Sequence, residues 1–268
     1  MTALGLFASF LMGIILGLMG GGGSILTVPI LVYLFSITPT TATGYSLFVV
    51  GITALVGSIM YIRKGDFDLK VGMAFAIPSV IGVNVSRGLI IPLIPTTIFS
   101  FGAFELKKEI LVMVVFAALM ITASYSMIKK RKPAKASQAN QLSRMTLVAA
   151  QGLAVGLIAG FVGAGGGFLI IPALVLLAGL TMRIAIGTSL AIIALQSLVG
   201  FAGDIIRGTI VDWNLLILIA GIAMIGIVAG SRVAHKINEH KLKVSFGWFV
   251  LIIGTTILLE QLRHISNG

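Results

Sequence analysis

Two short glycine-rich stretches define the chemistry around which the other polar residues of this chain can be arranged. Gly20-Gly21-Gly22-Gly23-Ser24 and Gly163-Ala164-Gly165-Gly166-Gly167 each interrupt an apolar run, and each leads to a proline, Pro29 and Pro172. A continuous helix loses about 1 kcal/mol per glycine relative to alanine, so these runs free backbone instead of extending helix. Freed N–H groups, with half-helix N-termini expected at Ser24 and Gly167, direct partial positive charge toward an anion. The candidate substrate contacts are therefore Gly21, Gly22, Gly23 and Ser24 in the first turn, and Gly165, Gly166 and Gly167 in the second. Close helix packing is the competing reading. It fits best the outer glycines Gly13/Gly17 and Gly152/Gly156/Gly160, which have small-xxx-small spacing.

Polar side chains follow each turn at helical spacing. Thr43, Ser46 and Thr53 fall on one face, and Ser189 and Gln196 stand at the positions equivalent to Ser46 and Thr53. Thr43, Ser46, Ser189 and Gln196 are candidate ligands to the same anion, with hydrogen bonding between helices as the alternative. Arg87, one turn after Asn84, lies inside an apolar span, and Arg232 near the end of another; both follow a serine. Asn84 and Arg87 complete the candidate set, and snorkelling to the interface is the other reading of both arginines.

Other chemistries find less support. Most of the eight acids sit at segment ends, so a proton relay or cation site built on carboxylates is weakly founded, with Asp204 the best placed. The absence of cysteine excludes disulfides and thiolate sites, and His235, His240 and His264 lie in or beside polar segment ends, so no metal or other cofactor is expected. A dinucleotide fingerprint fails because Ile25 and Phe168 occupy its third glycine position. No Ser/His/Asp or paired-acid constellation lies within the spans, which argues against an enzyme. The net charge of +11 comes mostly from loops between apolar segments, where membrane topology accounts for it without nucleic acid.

These residues must be held by membrane helices. The chain has 268 residues, 58% hydrophobic and 10% charged, with mean hydropathy +1.12, the composition of an all-α polytopic membrane protein. It is also duplicated: residues 17–57 match 160–200 at 17 of 41 positions without a gap. The plan is a first repeat at 1–128, a basic linker at 129–144 and a second repeat at 145–268. Spans are predicted at 4–19, 41–62, 71–97 and 109–128, and at 145–162, 184–206, 213–231 and 244–262. The pieces 24–36 and 168–178 are too short to cross: 13 residues reach about 20 Å against a hydrocarbon core of about 30 Å. Paired interrupted segments in two halves point to a transporter's binding site.

Counting charge orients the chain. If each interrupted pair enters and returns, the halves are inverted and the loop cations divide 14 to 4; if each crosses once, the halves are parallel and the division is 11 to 7. The inverted arrangement has the sharper bias. It places both termini outside and the 129–144 linker in the cytoplasm. The N-terminus lacks a basic segment and cleavage site, so it reads as retained.

The chain resembles the TauE/SafE sulfite exporter family over essentially its whole length. The likeness rests on the doubled glycine turn ending in proline, on Thr43-Gly44-Tyr45-Ser46 with Gly187-Thr188-Ser189, on Gly65-Asp66-Phe67-Asp68 with Val211-Asp212-Trp213, and on Leu242-Lys243. A hydrophobic insertion between Arg87 and Leu106 departs from it. The resemblance implies secondary transport, as export, of sulfite, organosulfonates such as sulfoacetate, or related small anions across the inner membrane. An anion channel and a membrane scaffold are the alternatives to a carrier.

Overall fold

The computed structural model describes residues 2–101, 104–129, 141–163, 165–176, 178–234 and 239–267. Residues 130–140 of the 129–144 linker lie outside them, as do Ala164 and His235. The helices are α1 (Thr2–Met19), α2 (Thr27–Pro29), α3 (Pro39–Ile62), α4 (Leu69–Val85), α5 (Ile91–Leu93), α6 (Lys108–Ile128), α7 (Gln141–Val162), α8 (Gly167–Leu176), α9 (Met182–Ile206), α10 (Trp213–Val233) and α11 (Glu239–Asn267). A short antiparallel hairpin, β1 (Thr97–Phe101) with β2 (Phe104–Lys107), occupies the insertion between Arg87 and Leu106.

Among the described residues, seven segments are long and apolar enough to cross a membrane. Leu4, Phe7, Ile77, Ile81, Ile217 and Ile252 face outward, while Ser24, Ser46, Thr53, Ser79, Gln196 and Asp204 are buried. An apolar exterior around a polar interior is the distribution a lipid solvent selects, and the protein is a multi-pass membrane protein.

Local rules set the helix ends. Asp68 and Asp212 cap α4 and α10, accepting the N–H groups of Val71 at 3.0 Å and Leu215 at 3.1 Å. Helices α3 and α9 end alike, with Gly65 and Gly208 at φ +77 and +86. There Asp66 N–H donates to Tyr61 O and Thr209 N–H to Asp204 O, each at 3.1 Å, the Schellman closure that favours glycine. An added β-carbon at either glycine meets nothing within 4 Å. Gly65→Ala and Gly208→Ala should therefore each cost only the left-handed backbone term, about 1–2 kcal/mol, read as a small fall in melting temperature.

The first glycine turn reverses the chain. In a straight helix Gly23 would lie about 10 Å beyond Leu16. Instead a β-carbon on Gly23 would fall 2.5 Å from Leu16 N, and one on Gly5 would fall 2.6 Å from the Phe35 ring. Residues 20–35 thus run back along α1, and Ala3–Leu34, though 32 residues long, is a hairpin and not one crossing. The returning arm is not the half-helix expected from Ser24. It is a 3-10 helix over Gly20–Leu26, then α2, then a π turn over Ile30–Leu34. The second turn reverses too, since a β-carbon on Gly166 would fall 2.9 Å from Val155 Cγ1 and 3.0 Å from Ala159 Cβ. Its returning arm is α8, which begins at Gly167 as expected. The span predicted at 71–97 forms one helical segment, Leu69–Leu93, in which a π turn over Ser86–Ile90 joins α4 to α5.

Helices α3 and α9 run antiparallel through the centre: Gly44 faces Asp204, Gly51 faces Leu198, Gly57 faces Leu190, and Gly187 faces Tyr61. Helix α1 lies on α10, with Gly13 against Ala223 and Gly17 against Ile227 and Ser231. Helix α7 lies on α4, with Gly152 against Phe75, Gly156 against Ser79 and Gly160 against Val83. The outer glycines bring helices together, and each hairpin docks on helices from the other half of the chain.

Candidate functional site

Each hairpin tip meets the central helix pair at a different end of the bundle. The first end is where α3 finishes and α9 starts; the second is where α3 starts and α9 finishes. The tip of the α1 hairpin reaches the first end, where Tyr61 Oη–H donates to Gly17 O at 3.2 Å. The tip of the α7 hairpin reaches the second end, where Arg87 Nη1 donates to Gly160 O at 3.0 Å. From these tips the arms turn inward and touch at the middle. A β-carbon on Gly21 would fall closer than 3.0 Å to the Cα, C and O of Gly167, beside Ile193.

The polar residues after each turn hold the opposite hairpin. Ser46 Oγ–H donates to Gly163 O, and Ser189 Oγ lies 3.0 Å from where a β-carbon on Gly20 would sit. Tyr45 Oη accepts the Asp212 N–H at 2.7 Å, and Thr188 Oγ1 accepts the Asp68 N–H at 3.0 Å. Gly44 and Gly187 give the close approaches to Asp204 and Tyr61. Three successive residues in each copy, Gly44-Tyr45-Ser46 and Gly187-Thr188-Ser189, therefore reach across to the other half.

Most candidate donors are already engaged. Ser24 Oγ–H donates to Gly21 O at 2.7 Å, Thr43 Oγ1–H to Thr40 O at 2.7 Å, and Ser189 Oγ–H to Ile186 O at 2.8 Å. Gln196 donates from Nε2 to Gly165 O and accepts at Oε1 from the Ser79 hydroxyl. Asn84 Nδ2 donates to Val80 O at 2.9 Å. In the second turn, Gly163, Gly165 and Gly166 have φ of +75, +64 and +62, values only glycine adopts without strain. Among the described residues no backbone carbonyl accepts from the N–H groups of Gly165 or Gly166. Beside them the buried Ser197 hydroxyl has no partner. Gly22 and Gly23 are buried, Gly23 against α1.

The two arginines separate. Arg87 is buried, with Nε and Nη2 at 2.6 and 2.5 Å from Asp204 Oδ2; Arg207 Nη2 binds the other oxygen, Oδ1, at 2.8 Å. Arg232, in the last turn of α10, is exposed. Packing register explains the difference. Gly82 seats between Leu153 and Leu157 as Gly226 seats between Phe10 and Ile14, an offset of 144, so Ser231, not Arg232, stands where Arg87 stands. Sequence reasoning missed the roles of Asp204, Arg207 and Tyr61, although Gly44 and Gly187, matched across the duplication, mark where Asp204 and Tyr61 approach.

The sequence matches the family described as sulfite exporter TauE/SafE over residues 5–257. The chain belongs to the TauE/SafE family. Similar relatives include the probable membrane transporter protein YunE of Bacillus subtilis, 27% identical over 94% of this chain and 98% of the relative. A probable membrane transporter protein of Xylella fastidiosa is 28% identical over 92% of this chain and 91% of the relative. Another from Bacillus subtilis, YdhB, is 28% identical over 93% and 97%. These are named as transporters, and this TauE/SafE chain is a membrane transporter and not an enzyme. The reciprocal contacts of Gly44-Tyr45-Ser46 and Gly187-Thr188-Ser189 give the TauE/SafE motifs in this chain a structural role.

Proposed function

We propose that the protein is a secondary carrier that exports small oxyanions, sulfite or organosulfonates such as sulfoacetate, across the inner membrane by alternating access. The observation that carries this reading is the pair of hairpin tips, one seated at each end of a polar interior. Releasing one tip at a time would open the interior to one side at a time. The substrate contacts are Gly21, Gly22, Gly23, Ser24, Thr43 and Ser46 from the first half with Asn84 and Arg87, and Gly165, Gly166, Gly167, Ser189 and Gln196 from the second. In this closed state the serine and threonine protons are on carbonyls, and opening would turn them to the anion. The family description and the scarcity of carboxylates in the interior support the sign and class of the substrate. Purified protein in liposomes should show saturable sulfite or sulfoacetate flux with counter-flow. Current without exchange would identify a channel, and no flux of any small anion would leave a scaffold.

The halves are inverted in this proposal, with both termini outside and residues 129–144 cytoplasmic. The hairpin form of residues 3–34 supports it, because an entering and returning pair gives the 14 to 4 charge division. A cysteine introduced at Ser137 should be shielded from an impermeant thiol reagent in intact cells, and one at Gly268 labelled; the reverse pattern refutes the orientation. An inside-negative potential favours anion exit by about 2.3 kcal/mol per charge per 100 mV. Flux should therefore persist when the pH gradient is collapsed, and flux driven only by an imposed pH gradient would show proton coupling instead.

A further inference from the structure

The two ends of the bundle are closed by unlike chemistry. At the first end a single neutral phenol, Tyr61, reaches the Gly17 carbonyl. Asp204 stands 143 residues after Tyr61, yet at its end the matching carbonyl, Gly160 O, is reached by Arg87, and the Asp204 carboxylate binds Arg87 and Arg207. Closing a tip does not require two guanidinium groups and a carboxylate.

We infer that Arg87 and Arg207 form an anion-contact site at the second end, and that the Asp204 carboxylate is a resident stand-in for the transported anion. The inference rests on the transport reading above. Four observations carry it. Arg87 presents Nε and Nη2 together to Asp204 Oδ2 at 2.6 and 2.5 Å, and the same edge of a guanidinium can take a sulfite or sulfonate oxygen. The Arg207 side chain is 34% exposed and holds Oδ1 at 2.8 Å, so it can keep the carboxylate when Arg87 lets go. Charge then balances without a proton: the substrate anion pairs with Arg87, and Asp204 pairs with Arg207. Glycines let the backbone approach the cluster closely: β-carbons on Gly44, Gly88 and Gly203 would fall 3.0 Å from Arg87 Nη2, 3.3 Å from Arg207 Nη1 and 3.2 Å from Arg207 Nη2, the last also 2.9 Å from Asn84 Oδ1. Finally, Ser86 Oγ is fully buried without a partner on the residue before Arg87, an unused donor next to the fork.

The test uses purified full-length protein in gluconate buffer, with sulfite and chloride as probes. Asp204→Asn removes the stand-in and leaves the arginine fork vacant. Its melting temperature should be lower than that of the unaltered protein and should recover on adding sulfite, with a shift several times larger than the unaltered protein shows. Its sulfite affinity should rise about tenfold or more, as a charge-assisted pair gained without competition implies. Arg207→Gln keeps the Arg87–Asp204 pair, and so the fold, but removes the acceptor for the displaced carboxylate. It should weaken sulfite binding about tenfold with little change in melting temperature. An Asp204→Asn protein with no anion-dependent shift, an Arg87→Gln/Asp204→Asn protein that keeps the shift, or an Arg207→Gln protein with unchanged affinity would each overturn the inference. Those results beside intact sulfite flux in the unaltered protein remove the stand-in alone. Absence of flux in the unaltered protein removes the transport reading instead.

Discussion

A Gly21→Ala protein is expected to be destabilised by about 3 kcal/mol or more, and Gly167→Ala likewise. A β-carbon on Gly21 would overlap the Cα, carbonyl C and O of Gly167, and one on Gly167 would fall 2.5 Å from Gly21 O and overlap its Cα. Backbone cannot rotate aside as a side chain can, so the two arms would have to separate at the middle of the bundle. Overpacking typically costs about 1–3 kcal/mol, and a backbone overlap belongs at or above the top of that range. Gly65→Ala supplies the control, because it carries a left-handed backbone but open space. Melting temperature and sulfite affinity measured on the same purified proteins decide the matter. A Gly21→Ala protein as stable as the Gly65→Ala protein would contradict the contact between the arms.

Arg87→Leu should destabilise the protein by about 3–5 kcal/mol, the range for removing one partner of a buried ion pair. Asp204 keeps Arg207, which places the expected loss toward the lower figure. Arg87→Met combined with Asp204→Leu should recover much of that stability, because paired charges replaced by apolar groups are often neutral. A double-mutant cycle on thermal unfolding reads the coupling. Additive losses from the two single changes would mean that the pair is not formed. Transport should not return with stability in the double variant, since no guanidinium remains at Gly160.

The helices were legible because hydrophobic runs and their charged flanks report them directly, and the reversals were legible because two glycine runs recur at one spacing. The irregular returning arm of Gly20–Leu34 was not legible: 3-10 and π turns depend on how the arm packs against α1, and the apolar residues of 24–34 fit any helix. The partner of Arg87 was not legible either, as 117 residues separate it from Asp204 and only the antiparallel packing of α3 on α9, with α4 alongside, brings them together. The Ser-Arg pairs misled because Ser86-Arg87 and Ser231-Arg232 align at an offset of 145, whereas the glycine contacts align at 144. One residue on a helix is about 100° of rotation, enough to turn Arg87 inward and Arg232 outward. The glycine runs themselves carry two demands at once, close approach at Gly21 and Gly167 and left-handed backbone at Gly20, Gly163, Gly165 and Gly166.

The unlike closures also set a resting bias. Opening the first end breaks the neutral hydrogen bond from Tyr61 to Gly17 O, whereas opening the second end breaks a charge-assisted one from Arg87 to Gly160 O. Every 1.4 kcal/mol of difference between those costs shifts the two open populations about tenfold. In the proposed orientation the first end faces the cytoplasm, so an empty carrier would wait open inward, and an anion that draws Arg87 away from Gly160 O would ease the outward state. The bias sets which side the empty carrier faces and how fast it loads there, while the membrane potential and the anion's own gradient set the direction of net flux. Cysteines placed at Thr188 and at Thr43 would read the bias as labelling rates, fast at the first end and slow at the second until sulfite is added. Equal rates in the empty protein would remove it.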